Sequence, residues 1–101
     1  MRIQILASAR RDLDEGFQFY ESQEAGLGGY FISSVKADIE GLRISAGIHP
    51  LKHNDYHRML CRVFPFAVYY TNTEKEATVY AVVDCRRDPA WIRRRLEAAG
   101  E

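Results

Sequence analysis

The sequence predicts an α+β domain of element order β-α-α-β-β-β-α, with a helical hairpin packed on a mainly antiparallel sheet. Three observations lead there. Two long segments in the first half repeat apolar residues every three or four positions. A glycine-rich break separates them. The second half alternates apolar and polar residues in short runs rich in aromatic and β-branched side chains.

Arg2 to Leu6 alternates, with Ile3 and Ile5 on one side, and reads as a short strand. Ser8 is placed to offer its hydroxyl to the free amides of a new helix. Along that helix Ala9, Leu13, Phe17 and Tyr20 form one apolar stripe, leaving Asp14, Glu15, Gln18 and Glu21 for water or a partner. Ala25-Gly26-Leu27-Gly28-Gly29 ends it, since glycine readily takes the left-handed conformation that terminates a helix. Leu27, Phe31, Val35, Ile39, Leu42 and Ala46 then predict one second helix of about five turns, stopped by Gly47 and Pro50.

The sheet follows. Tyr56 to Val63 reads as a strand with Tyr56, Arg58, Leu60 and Arg62 on one face and His57, Met59, Cys61 and Val63 on the other. Phe64-Pro65-Phe66 makes a bend, because proline cannot donate to a central ladder. Ala67 to Thr71 forms the next strand and Asn72 to Glu76 a polar turn. Thr78 to Val83 is the most apolar strand and is expected to be central. Pro89 opens a last helix, Ala90 to Ala98, where a missing amide costs little.

At 101 residues the chain fits one domain, 1–101, and 47% apolar with 28% charged residues suits a globular protein. No apolar run approaches the roughly 20 residues needed to cross a bilayer. The start, Met1-Arg2-Ile3-Gln4-Ile5-Leu6-Ala7, has neither the apolar core nor the cleavage site of a secretory signal, so a cytoplasmic protein without membrane contact is expected. Cys61 and Cys85 form no C-x-x-C pair, and a structural disulfide is not expected. His49, His53 and His57 are spaced by four, which on a helix would align a metal site. Pro50 disfavours that helix, so neither metal nor cofactor is expected.

Net charge is zero, which gives no global pull toward nucleic acid, but the charge is unevenly spread. Residues 1–47 hold 5 basic and 7 acidic side chains; residues 48–101 hold 9 and 7, with five arginines between 86 and 95. An anionic partner would therefore meet the C-terminal half.

Several motifs, in this order, resemble the ParE/RelE toxin superfamily along nearly the whole chain. They are Ala9-Arg10-Arg11-Asp12-Leu13 through Phe19-Tyr20-Glu21, then Gly26-Leu27-Gly28-x-x-Phe31, then Tyr56-x-Arg58, Phe64-Pro65-Phe66 and Tyr69-Tyr70. The most specific is the last, Ala81-Val82-Val83-x-x-Arg86-Arg87-Asp88-Pro89-x-Trp91-x-x-Arg94. One departure is Asp84, where many relatives carry histidine. The resemblance implies a toxin of a type II toxin–antitoxin system, held in a hetero-oligomer by a cognate antitoxin. RelE-type members cleave mRNA on the ribosome, whereas ParE-type members poison DNA gyrase without hydrolysing anything.

Metal-independent RNA cleavage needs a base, cationic stabilisation of the phosphorane and a proton donor. The cationic positions of RelE-type toxins fall here on Arg58, on Leu60, at or beside Ala67, and on Arg86 or Arg87; the C-terminal tyrosine has no counterpart. Leu60 and Ala67 supply neither charge nor proton. The ParE-like, non-catalytic reading is therefore favoured, and mRNA cleavage through Arg58, Arg86 and Arg87 is the alternative. Target binding is assigned to Arg58, Arg62, Arg86, Arg87, Trp91 and Arg94, and antitoxin binding to Phe19 and Tyr30, which fall off the helical stripes. The plainer readings are surface ion pairs of Arg58 and Arg62 with Asp55 or Asp84, and a solvated helix flank at Arg93 to Arg95. Trp91 would then be a packing anchor, and Phe19 and Tyr30 part of a wide core face.

Overall fold

The computed structural model describes residues 1–99, so Gly100 and Glu101 lie outside it. The chain runs β1 (Arg2–Ile5), α1 (Ala7–Gln23), α2 (Leu27–Glu40), the single turn α3 (Leu42–Ser45), β2 (Leu51–Lys52), β3 (Tyr56–Leu60), β4 (Phe66–Asn72), β5 (Glu76–Asp84) and α4 (Pro89–Ala98). The strands form one sheet in the order β1-β5-β4-β3-β2, parallel between β1 and β5 and antiparallel elsewhere. The α+β class, the element order and the hairpin on a mainly antiparallel sheet hold, with β2 and α3 added.

Alternation along β4 explains the layering. Val68 and Tyr70 face the hairpin, where they meet Met59, Val79 and Val82 and pack under Leu13, Phe31, Val35 and Ile39. Ala67 and Tyr69 face the other way, and with Ala81 and Val83 they lie under Ile92 and Leu96 of α4. The sheet is thus covered on both faces. A bulge between Tyr69 and Tyr70 skips Tyr80 in the β5 register, which sends Tyr80 and Ala81 both toward α4.

The predicted second helix does not run unbroken to Ala46. It breaks at Gly41, where the amide of Ile44 bonds the Gly41 carbonyl at 3.1 Å and tightens the chain into α3; Leu42 still lands in the core. The strand from Tyr56 stops at Leu60 instead of Val63, because the Arg62 amide donates to the Asp38 carboxylate of α2 at 3.1 Å. Ser8 is not a helix cap. It lies inside α1, whose cap position is Leu6, and its hydroxyl donates to the Tyr80 carbonyl at 2.9 Å.

The hairpin turn depends on Glu21, which is not left to water. Its carboxylate accepts from the amides of Gly26 (3.0 Å) and Gly28 (2.9 Å), capping the start of α2 from the end of α1. Gly26 holds φ at +91°, the left-handed region. Gly28 is needed for a different reason: a Cβ there would sit 2.7 Å from the Phe17 carbonyl oxygen, whereas one on Gly29 meets nothing within 4 Å. Gly28→Ala is therefore expected to destabilise the protein by about 1–3 kcal/mol through overpacking. Gly29→Ala should instead be neutral or stabilising by up to about 1 kcal/mol. Urea unfolding of the two variants checks the contrast, and equal losses would count against this account of the turn.

Candidate functional site

β1 pairs only with Glu76 to Val79, so the second half of β5 has no strand beside it on that edge. Unpaired amides and carbonyls there need partners, and α1 supplies them as it crosses. The Ser8 hydroxyl takes the Tyr80 carbonyl, and Asp12 Oδ2 accepts the Val82 amide at 2.9 Å. Arg95 of α4 completes the arrangement. Its guanidinium donates to both Asp12 oxygens, at 3.2 and 2.5 Å, and to the Ser8 carbonyl at 2.9 Å. Arg95 is thus not part of a solvated flank, whereas Arg93 and Arg94 are exposed. Burial holds the Asp12 carboxyl above its ordinary value, against the downward pull of the Val82 amide and the Arg95 charge.

Past this junction lies a cleft of about 510 Å³ between α1, the end of β5 and the start of α4. Glu15, Phe19 and Tyr20 line the α1 wall; Asp84, Arg86, Arg87 and Trp91 line the other; Phe66, Val82 and Val83 also contribute. The charges here are organised. Asp84 Oδ1 accepts from the Arg86 amide at 2.8 Å and from Nε at 3.0 Å, while Oδ2 accepts from Nη2 at 2.7 Å. Arg86 accordingly holds the Asp84 carboxyl below the usual carboxylate value. The Arg87 guanidinium lies over the Trp91 ring, 4.1 Å from its centroid. Asp88 caps α4 by accepting from the Ala90 amide at 3.0 Å, with Pro89 at the first helical position, which fixes where Trp91 points.

Four of the sequence-predicted residues, Phe19, Arg86, Arg87 and Trp91, therefore meet in one cleft. Phe19 is 57% exposed and starts an aromatic row that continues through Tyr20 (5.1 Å between centroids) and Phe64 (4.8 Å) to Tyr30 (5.4 Å). Tyr30 is thus the far end of the same row, 55% exposed. Arg94 is on α4 in solvent.

Arg58 and Arg62 lie elsewhere and do not share a face. Arg58 stands opposite Tyr69 on the α4 side of the sheet, with β4 and β5 between it and the free half-edge of β5. It makes no ion pair with Asp55 or Asp84, and its Nε is buried without a hydrogen-bond partner among the described residues. Arg62 follows the end of β3 and is drawn to α2, its Nε 3.0 Å from Asp38 Oδ1. The strand pattern that placed both arginines on one face fails because the strand has already ended.

The three histidines do not converge. His49 Nδ1 lies 2.5 Å from the Tyr70 hydroxyl and His57 stacks on the same ring, whereas His53 lies against Tyr69, which faces the opposite way. Among the described residues no group of three His, Cys, Asp or Glu is placed to hold a metal. Burial, with Asp38 beside it, pushes the Cys61 thiol up to about 12, so it is protonated at neutral pH and no nucleophile. Sequence reasoning missed Tyr20, Glu15 and the Asp84–Arg86 pair. The pair alone carried a local signal, its spacing of two.

No family model matches the chain, and no curated protein does either. The fold is the ParE-like one that the sequence resemblance implies. A chain of a solved structure described as "Chromosomal ParDE TA system from P. aeruginosa" matches it with a TM-score of 0.73 and 16% identity, over 83% of this chain and 95% of that chain. No helix among the described residues is long and apolar enough to cross a membrane.

Two outcomes test the site's framework. Asp12→Ala leaves the Val82 amide and the Arg95 guanidinium without their carboxylate, so a loss of about 3 kcal/mol or more is expected in urea unfolding. Asp12→Asn, which keeps an acceptor for Val82, should lose less. Burial, then the charge of His57, lowers the His49 pKa from its ordinary 6.5. The neutral ring is the folded form, so its contribution is complete above that ordinary value and is lost as pH falls through the lowered one. His49→Gln should flatten the decline in stability as pH falls below that ordinary value; identical profiles would refute this.

Proposed function

We propose that the chain is the toxin of a bacterial type II toxin–antitoxin system, ParE-like, acting in the cytoplasm by binding DNA gyrase and silenced in a hetero-oligomer with a cognate antitoxin. The observation that carries the reading is the match of fold to a ParDE system over most of both chains. The cleft supports it. Arg86, Arg87 and Trp91, presented on the loop after β5 and the first turn of α4, with Arg94 nearby in sequence, form the proposed target contact. The aromatic row from Phe19 through Phe64 to Tyr30 offers the antitoxin an apolar surface beside the hairpin.

The positions a nuclease of this kind would fill with cations bear apolar side chains. Leu60 is exposed and Ala67 is fully buried under α4, so neither can neutralise a phosphorane. One observation favours the alternative of RelE-like mRNA cleavage: the Arg58 guanidinium, without an ion pair among the described residues, beside Tyr69 on the sheet. That reading requires codon-specific cuts in programmed ribosomes, lost on Arg58→Ala.

The gyrase reading is tested directly. Expression without the antitoxin should arrest growth, and the purified protein should inhibit supercoiling by gyrase. Arg87→Glu or Trp91→Ala should raise the half-inhibitory concentration about tenfold or more, as for a central contact residue. Undiminished supercoiling at large molar excess of the protein would overturn it.

A further inference from the structure

The cleft between α1 and α4 contains the elements of a specific recognition site, and we propose that it binds an acidic, apolar segment of a partner protein. One bulky apolar side chain seats between Phe19 and Trp91, and one neighbouring carboxylate meets Arg87. The proposal rests on the functional assignment above for the role of the cleft and adds the chemistry of its occupant.

The charges carry the argument. Three carboxylates and two guanidinium groups line the cleft, and three of these five groups are already held in ion pairs. Asp12 is held by Arg95, and Asp84 takes two guanidinium N–H groups and the amide of Arg86. Arg87 is different. It is exposed, it has no carboxylate within ion-pair distance among the described residues, and its guanidinium carbon lies 4.1 Å from the centroid of the Trp91 ring. A guanidinium stacked on an aromatic ring keeps its edge free for the forked pairing that carboxylates make, and less side-chain entropy is lost on binding.

The apolar part is equally specific. Phe19 leaves 57% of its surface in water on one wall, and half-buried Trp91 faces it across the cleft. About 510 Å³ accommodates a few side chains and is too shallow a feature for a whole folded element. Glu15, on the α1 wall and without an ion pair among the described residues, limits the occupant to a single negative charge. A nucleic-acid strand brings one phosphate per nucleotide into a cleft that Glu15 also lines, whereas a peptide with one carboxylate between apolar residues meets less of that repulsion.

Trp91 is the only tryptophan in the chain, so its emission reads the cleft directly. The probes are the peptides acetyl-Leu-Phe-Glu-Leu-amide and acetyl-Leu-Phe-Gln-Leu-amide, with adenosine 5′-monophosphate as the phosphate-bearing arm. The glutamate peptide is expected to change Trp91 emission saturably and to bind about fivefold more tightly than the glutamine peptide, the scale of one partly exposed ion pair. Arg87→Gln should remove that difference and leave the glutamine peptide's affinity unchanged. Phe19→Ser, which keeps Arg87 on Trp91, should weaken both peptides alike, with far-ultraviolet circular dichroism checking that both variants are folded. No saturable change, equal affinity of the two peptides, or tighter binding of the monophosphate would each overturn the proposal. Peptide binding without gyrase inhibition would sink only the functional reading; gyrase inhibition without peptide binding would sink only this one.

Discussion

A strand that is longer than its neighbour leaves backbone groups without partners, and in this protein the mismatch between β1 and β5 organises everything around it. Four residues of β1 pair with the first part of β5 and then the chain turns into α1. The exposed remainder of the edge would be open to pairing with another chain. Asp12 and Ser8 close it from within α1, and Arg95 fastens α4 to the same carboxylate. A single acidic side chain thus joins a helix of the hairpin, the free half-edge of β5 and the last helix, which otherwise sits on the opposite face of the sheet. Burying that carboxylate is unfavourable on its own, as the raised pKa of Asp12 reflects, and the arrangement is stable because every partner is present.

The cleft is a consequence of the same geometry. α1 must pass along the edge of β5 at Ser8 and Asp12, while α4 must lie over Ala81 and Val83 with Ile92 and Leu96 inward. Beyond the junction, the space between α1, the end of β5 and the start of α4 is the cleft, a wedge lined from both helices. Trp91 and Arg95 are four apart and share one flank of α4. Arg95 reaches the junction, and Trp91 faces the wedge. The residue that fastens the helix and the residue proposed to meet a partner are therefore adjacent on one face. A rigid element carries the contact side chain, and the capping carboxylate of Asp88 fixes its start.

Much of this architecture was legible in the chain because it is periodic. The apolar stripes of α1 and α2 and the alternation of β4 and β5 each reflect burial on one or two faces, and they place the hairpin, the sheet and the last helix correctly. What failed to show were features decided by partners far away in sequence. Ser8 looks like a cap until Tyr80 is brought to it, and nothing near Arg95 marks it as different from Arg93 and Arg94. Arg62 is separated from Arg58 by an even number, which implies one face only while a strand continues; Asp38, 24 positions earlier, ends that assumption. β2 is two residues long, too short for any period. In the cleft, the cations were legible as a cluster, but the pairing that distinguishes Arg86 from Arg87 was not. It depends on an acid two positions before one and an indole four positions after the other.

That distinction also bears on chemistry against binding. Cationic catalysis on a phosphate needs several positive groups converging on one solvent-open point, so that developing charge is met without reorganisation. Here the cations are dispersed among separate tasks. Arg95 is inside the junction, Arg62 is tied to α2, Arg86 is neutralised by Asp84, and Arg58 lies on the sheet away from the free edge of β5. Arg87 remains as an oriented single charge beside an aromatic surface, and one such charge next to exposed Phe19 suits selective contact with a protein far better than charge stabilisation of a phosphorane.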